Sequence, residues 1–403
     1  MSARKNVRTC AAGLLALVLA AVPVASRAQD ADGETPTWIA AWGAAINGTG
    51  SAIPDGTVRN IARVSTGGQA VRIRLSNAVS KEVPLLVGGA SIALQAGPTG
   101  PAIVPGTSRP ITFGGQPSVV VPPGTDYLYS DAVEFPVEAL QHVAVSLYLP
   151  DATSPDAGES YNTSYATAAG AGDRTEEEDG HTFGISLTRT LALTAIDVLT
   201  TEANGAVVGL GSASMAGTGT DRDTYRRFID QLAVRVNDNV APGQRKALLG
   251  VGIGAEPLHD SLNRYDRDVL SQSGVTGVIL FSINDLALGL RNAQQVVADY
   301  RIAIARAHAR GVRTFCPTWP PASHTFVFSG ATQELSKLNA WILNSGECDD
   351  VVDWYSVLAD DLVPYTYRAT YQFDSIHFNE AGHTAVTDAT PLRWFTAPPL
   401  PKD

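Results

Sequence analysis

Residues 205 to 217, Gly-Ala-Val-Val-Gly-Leu-Gly-Ser-Ala-Ser-Met-Ala-Gly, decide how the rest of the chain is read. Ala206 to Leu210 is a short apolar run of the kind that forms a strand covered on both faces. Gly211 and Gly217 loosen the turn that follows. From Asp223 onward Tyr225, Phe228, Ile229, Leu232, Ala233 and Val236 recur at helical spacing. Open parallel sheets bind ligands outside the carboxyl ends of their strands, so a strand, turn and helix in this order place a candidate site at the turn.

Working outward toward the carboxyl end, strands and helices alternate. Strands are expected at Ala206 to Leu210, Ala247 to Val251, Val275 to Phe281, Val312 to Cys316 and Val351 to Tyr355. Helical patterns lie at Asp223 to Asn237, Leu262 to Leu270, Ala293 to Ala309 and Gln333 to Asn344, with a last helix after Asn379. Five strands with intervening helices predict an α/β domain with a mostly parallel, three-layer sheet over residues 187–400.

Toward the amino end the period changes. Val71, Ile73 and Leu75 alternate with Arg72, Arg74 and Ser76, which gives one apolar and one polar face. Similar runs occur at Leu85 to Leu94, Ser118 to Val121 and His142 to Leu149, separated by Gly and Pro turns. This region, residues 37–182 with a polar linker from 151, is expected to be an antiparallel β-sandwich. Leu187 to Val198 alternates again and is expected to be the last strand before the second domain. In the linker, Thr175 to Asp179 is either a calcium-binding run or a solvated loop. Trp38 and Trp42 either pack at the domain start or stack on sugar rings.

Residues 1–28 combine a basic start, an apolar stretch from Ala11 to Ala25 and the small residues Ser26 and Ala28 around Arg27. This is the pattern of a secretory signal peptide, so the protein is expected to be exported, extracellular or periplasmic, with no membrane span. Its removal takes four basic and no acidic residues and moves the net charge from -11 to -15, which argues against nucleic acid or anionic membrane as partner. Cys10 leaves with it. Cys316 and Cys348 remain, and two cysteines in an exported chain point to a disulfide. There is no HExxH, CxxC or phosphate loop, and no cofactor or metal is expected.

The stretch around residue 213 resembles the first motif block of the SGNH (GDSL-type) hydrolase superfamily, in which a strand ends in Gly-Asp-Ser and the serine attacks an ester. Gly211 and Gly217 match, whereas Ser212 stands at the aspartate position and Ala213 at the nucleophile position. Asp374-Ser-Ile-His377 matches the family's Asp-x-x-His block, which implies His377 as base and Asp374 as its orienter, and Asn379 to Gly382 continues the match. Gly252 and Asn284 match the family's oxyanion donors, with Ser282 where that block carries glycine. Arg264 to Leu270 resembles the segment between the second and third strands. Trp38 to Trp42 with Arg59 to Asn77 resembles the amino-terminal region of a secreted two-domain subgroup.

The resemblance implies a flavodoxin-like SGNH fold and hydrolysis of carboxylic esters, acetyl or acyl, on a small molecule or polysaccharide. Two departures bear on activity. Ala213 supplies no attacking group, and Glu256, where the family has asparagine, brings a carboxylate expected to oppose an oxyanion. Ser212 is the candidate surrogate nucleophile, with Ser214 on the other side of Ala213. The rival reading is a catalytically lapsed, secreted carbohydrate- or ester-binding protein. His142, His181, His308 and His383 read as packing or surface, His259 and His324 lie in loops within reach of the site, and Trp319 either lines a pocket or packs.

Overall fold

Five strands form one parallel sheet in the order Arg245–Gly252, Ala203–Gly211, Val275–Leu280, Arg313–Pro317, Asp350–Val352. They belong to a computed structural model that describes residues 35–322 and 330–401; residues 1–28, expected to be a signal peptide, and His324 lie outside the described residues. The strand Ala203–Gly211 is buried over almost its whole length because it has neighbours on both sides. Its register sets Gly209 beside Gly250 and Ile279. After Arg245–Gly252 the chain crosses to the other side of this strand, so the direction of winding reverses between Ala203–Gly211 and Val275–Leu280. A crevice opens at such a reversal, at the carboxyl ends of the strands.

The strands begin and end within a few residues of the sequence expectation with one informative exception, and the first long helix departs from it as well. The last strand stops at Val352, and Tyr355 falls in the helix Trp354–Leu358 instead. Asp353 caps that helix: its carboxylate accepts from the Ser356 amide (3.1 Å) and hydroxyl (2.5 Å), which turns the chain out of the sheet. The first long helix begins at Phe228, not Asp223. Asp223 and Tyr225 both take positive φ, 64° and 54°, and Asp223 is held by the Thr163 amide and hydroxyl at 2.6 and 2.5 Å. From Phe228 the apolar spacing takes over and buries Phe228, Ile229, Leu232, Ala233 and Val236. Full burial of a large apolar side chain such as Phe228 contributes about 1.5–3 kcal/mol.

The amino-terminal part is strand-rich and mostly antiparallel. One sheet runs Thr37–Gly43, Leu193–Thr200, Gly68–Asn77, Val133–Val137; another includes Gly56–Arg63, His142–Leu149 and Gly89–Leu94. Alternate residues of both, among them Val58, Val71, Ile73, Leu75, Ile92, Val143 and Val145, share one core. The run expected from Leu85 to Leu94 is broken at Gly88, where a side chain would meet the Tyr148 ring. Leu193–Thr200 pairs with Thr37–Gly43 and Gly68–Asn77, so the antiparallel part continues to Thr200 and the expected division at 182–187 falls inside it.

The polar segment expected to be a linker is built into this part. It supplies the strands Asp156–Glu159 and Ser164–Ala166. Its acidic run is tied down from below: fully buried Arg59 donates to the carbonyls of Pro101 (2.7 Å), Arg174 (3.3 Å), Thr175 (3.4 Å) and Glu177 (2.8 Å), and to Ser146 Oγ (2.8 Å). Burial pulls the Arg59 pKa down to about 10, against the nearby Glu177 carboxylate, which raises it.

Residues from Pro36 onward form one compact unit. Ala40 N–H bonds to the Ser273 carbonyl (2.9 Å), and Leu248 N–H to Ser65 Oγ (3.0 Å), so antiparallel and parallel parts share hydrogen bonds as well as apolar contact. Trp42 is buried and Trp38 lies under the Arg72 guanidinium, 4.7 Å from its ring centre. Cys316, in the fourth parallel strand, and Cys348, just before the fifth, form a disulfide with Cα atoms 6.1 Å apart. No helix among the described residues is long and apolar enough to cross a membrane.

Candidate active site

Three loops at the carboxyl ends of the parallel strands and one near the end of the chain carry the residues singled out above. The first follows Gly211. Ser212 precedes the short helix Ala213–Ala216, and the Ala213 carbonyl accepts from the amides of Gly217 (2.8 Å) and Thr218 (2.9 Å), closing the turn. Gly252 at the end of the neighbouring strand lies so close beneath that a side chain there would strike the Ala216 amide and the Ser212 carbonyl. Ser212, Ala213 and Ser214 are all buried. Among the described residues no hydrogen bond joins His377 to Ser212 or Ser214.

The second and third loops are bonded to each other. Asn284, at the start of the helix Asn284–Ala287, donates through Nδ2 to the Glu256 carbonyl (3.2 Å). The next residue, Asp285, is fully buried and accepts from the Leu258 amide (2.7 Å), the His259 amide (3.4 Å) and the Ser282 hydroxyl (3.4 Å). Burial raises its pKa, partly offset by those amide bonds. Asp285 was not among the expected site residues. Its place one residue after Asn284 was the available signal.

The Glu256 carboxylate, expected from the sequence to oppose an oxyanion, has a cationic partner in the fold. It is drawn off by Arg264, whose Nε lies 3.0 and 2.8 Å from its two oxygens and whose Nη2 lies 2.5 Å from Oε2; Ser261 Oγ also donates at 2.7 Å. Arg264 further holds Asp268 (3.1 Å) and the Val251 carbonyl (2.9 Å). The charge is thus neutralised by a buried partner eight residues along the chain.

In the last loop, His377 Nδ1 lies 2.8 Å from Asp374 Oδ2. Asp374 Oδ1 accepts from the amides of Ile376 (2.9 Å) and His377 (2.8 Å), so the carboxylate fixes both the loop and the ring. Partial burial pushes the Asp374 pKa up, but the His377 ring bond and these amides outweigh it and hold the carboxyl below its usual range. With Nδ1 engaged, Nε2 is the ring nitrogen free of Asp374. The arrangement can orient an imidazole and accept a proton at Nε2.

The Asp374–His377 pair lies within a stretch that is similar to a known family. The model of the GDSL-like lipase/acylhydrolase family matches residues 207–385. Among solved structures, the chain is similar to a GDSL-like lipase from Bacteroides thetaiotaomicron (18% identity, 47% of this chain and 89% of that one, TM-score 0.37). It is also similar to the lipase/acylhydrolase from Enterococcus faecalis (18%, 46% and 92%, TM-score 0.37) and to an acetyl xylan esterase (20%, 45% and 96%, TM-score 0.37). Comparison with curated proteins finds no match.

The stretch that matches this family does not supply every residue around the turn. Tyr161, from the antiparallel part, lays its ring where a side chain at Gly217 would be and donates to the Thr220 carbonyl (3.1 Å). Glu159 accepts from the Gly254 amide (3.4 Å) and from Asn47 (3.1 Å). Both were missed in the sequence because they lie in a polar stretch without period. Trp319 is fully buried and donates to the Tyr300 hydroxyl (2.8 Å), so it packs. His142 stacks on Tyr225, His259 pairs with Asp299 (3.1 Å) and His308 with Asp349 (2.8 Å). Glu177, Asp179 and His181 bring possible ligand atoms within 4.8 Å of one another. Glu177 already accepts from Thr182 (2.8 and 2.5 Å) and Asp179 from His181 (2.6 Å), as a self-bonded surface loop does.

Proposed function

We propose that the protein is an exported ester hydrolase of the GDSL type whose attacking position, residue 213, carries alanine, and that it turns over carboxylic esters weakly at most. The observation that carries the reading is the Asp374–His377 hydrogen bond. An imidazole held through Nδ1 is equipped to take a proton at Nε2. Gly252 and Asn284 are the oxyanion donors in this reading, and short acetyl or acyl esters are the substrates. Loss of the attacking group in a serine hydrolase costs roughly a millionfold in turnover. What remains is water activated by His377.

Ala213→Ser tests this. The full chain with that substitution should hydrolyse short acyl esters far faster than the parent and react with a serine-directed phosphonate. A further His377→Ala change should abolish both. A folded Ala213→Ser protein with neither property refutes the reading. It would favour the second one, a secreted carbohydrate- or ester-binding protein, which the alanine at 213 itself supports. Ser212 as a surrogate nucleophile predicts instead that the parent chain is active and that Ser212→Ala silences it.

A further inference from the structure

The turn after Ala213 is joined through one buried imidazole to the helix that follows the loop carrying His377. His383 lies in the helix Glu380–Ala389 and has no exposed surface. Its Nδ1 accepts from the Phe228 amide (3.1 Å), at the start of the helix Phe228–Asn239. A neutral ring that accepts at Nδ1 carries its proton on Nε2. That nitrogen lies 3.1 Å from the Thr218 carbonyl. Both ring nitrogens are therefore used, in one tautomer. Burial, which lowers the pKa to about 4, keeps the ring neutral. Phe228 stacks on one side (6.0 Å between centres) and Phe378 meets the ring edge-on (4.4 Å), so its orientation is fixed.

The Thr218 end of this bridge leads to position 213 within one further step, and the helix that carries the ring leads back toward His377. The Thr218 amide is bonded to the Ala213 carbonyl (2.9 Å). At the other end, the helix that carries His383 is capped by Asn379, two residues after His377, through its bond from the Gly382 amide (3.0 Å). Asn379 Nδ2 also holds the Thr370 carbonyl (3.0 Å) of the same loop. Alongside, Gly219 takes φ of 96° and approaches the Phe378 carbonyl so closely that any side chain would collide with it. A purely space-filling aromatic would pack between Phe228 and Phe378 equally well, but it would leave the Thr218 carbonyl and the Phe228 amide without partners.

We propose that His383 is a positioning residue: its bond to the Thr218 carbonyl sets the separation between position 213 and His377. The inference rests on the reading that residue 213 faces His377. A displacement of about 1 Å between reacting groups can cost roughly a hundredfold in rate, so such a bridge has a function beyond packing.

The test needs no esterase activity. Ala213→Cys places a thiol at the position, and the pH dependence of its alkylation by iodoacetamide reads its pKa, with the unsubstituted chain as blank for Cys10. A thiol beside an imidazole titrates at roughly 3.5–7.5, an isolated one near about 8.5. The expected result is a depressed value in Ala213→Cys, a rise of a full unit or more when His383→Leu is added, and an intermediate value with His383→Gln, which keeps a donor and an acceptor. If His383→Leu does not fold, His383→Asn, too short to span the gap, replaces it. A depressed value in every variant overturns the inference and leaves the proposed function standing. An ordinary value in Ala213→Cys alone overturns both.

Discussion

Glu256→Asn, introduced into the Ala213→Ser chain, separates two accounts of one carboxylate. If the charge faced the oxyanion, its removal would raise turnover; the structure instead gives the charge to Arg264. Asparagine is too short to reach the guanidinium, so the substitution removes the bonds to Arg264 Nε and Nη2 and the one from Ser261. Breaking a fully buried ion pair costs about 3–5 kcal/mol. Here the Glu256 side chain keeps 14% of its exposure, and Arg264 retains Asp268 and the Val251 carbonyl. The expected loss is therefore smaller, about 2–3 kcal/mol, the scale of a charge-assisted hydrogen-bonded pair. Thermal unfolding should show a midpoint lower by several degrees, and hydrolysis of p-nitrophenyl acetate should be unchanged or lower. Turnover raised tenfold or more with an unchanged midpoint would refute the argument, since the carboxylate would then act on the reacting centre and not on Arg264.

Arg59→Met should cost about 3–5 kcal/mol in denaturant unfolding, because several carbonyls and Ser146 lose a buried charged donor at once. The His383 pKa is depressed to about 4, so on acidification the unfolded chain takes up this proton near pH 6.5 while the folded one does not. Stability from this group is complete above pH 6.5 and should fall by up to about 3 kcal/mol toward pH 4, with Asp230 raising and Arg227 and His377 lowering the folded value; His383→Gln should flatten that part of the curve. Replacing both Cys316 and Cys348 by serine opens a span of 32 residues and should cost about 3–4 kcal/mol by the chain-entropy argument, read as a lower denaturant midpoint.

The order of elements was legible in the chain because it rests on local period. Apolar runs bounded by turns gave the five parallel strands, and the alternation at Val71 to Leu75 gave the antiparallel part. The Asp374–His377 pair was legible through its resemblance to the family's Asp-x-x-His block, and its short separation lets the two side chains meet within one loop. Cys316 and Cys348 were the two cysteines left to pair once Cys10 was assigned to the signal peptide.

What the tertiary structure decided are partnerships between distant segments with no periodic trace. Glu256 reads as an unpaired charge until folding brings Arg264 onto it. His383 reads as one polar residue in a helix until Phe228 and Thr218, more than 150 positions away, claim its two nitrogens. Tyr161 and Glu159 sit in a stretch of polar composition, and only the docking of that stretch against residues 217–254 brings them to the turn. Periodicity records which face of an element is buried. Which polar group meets which across that face depends on how elements far apart in sequence come together, and a buried polar group must find its partner there because an unpaired one costs more than the fold can spare.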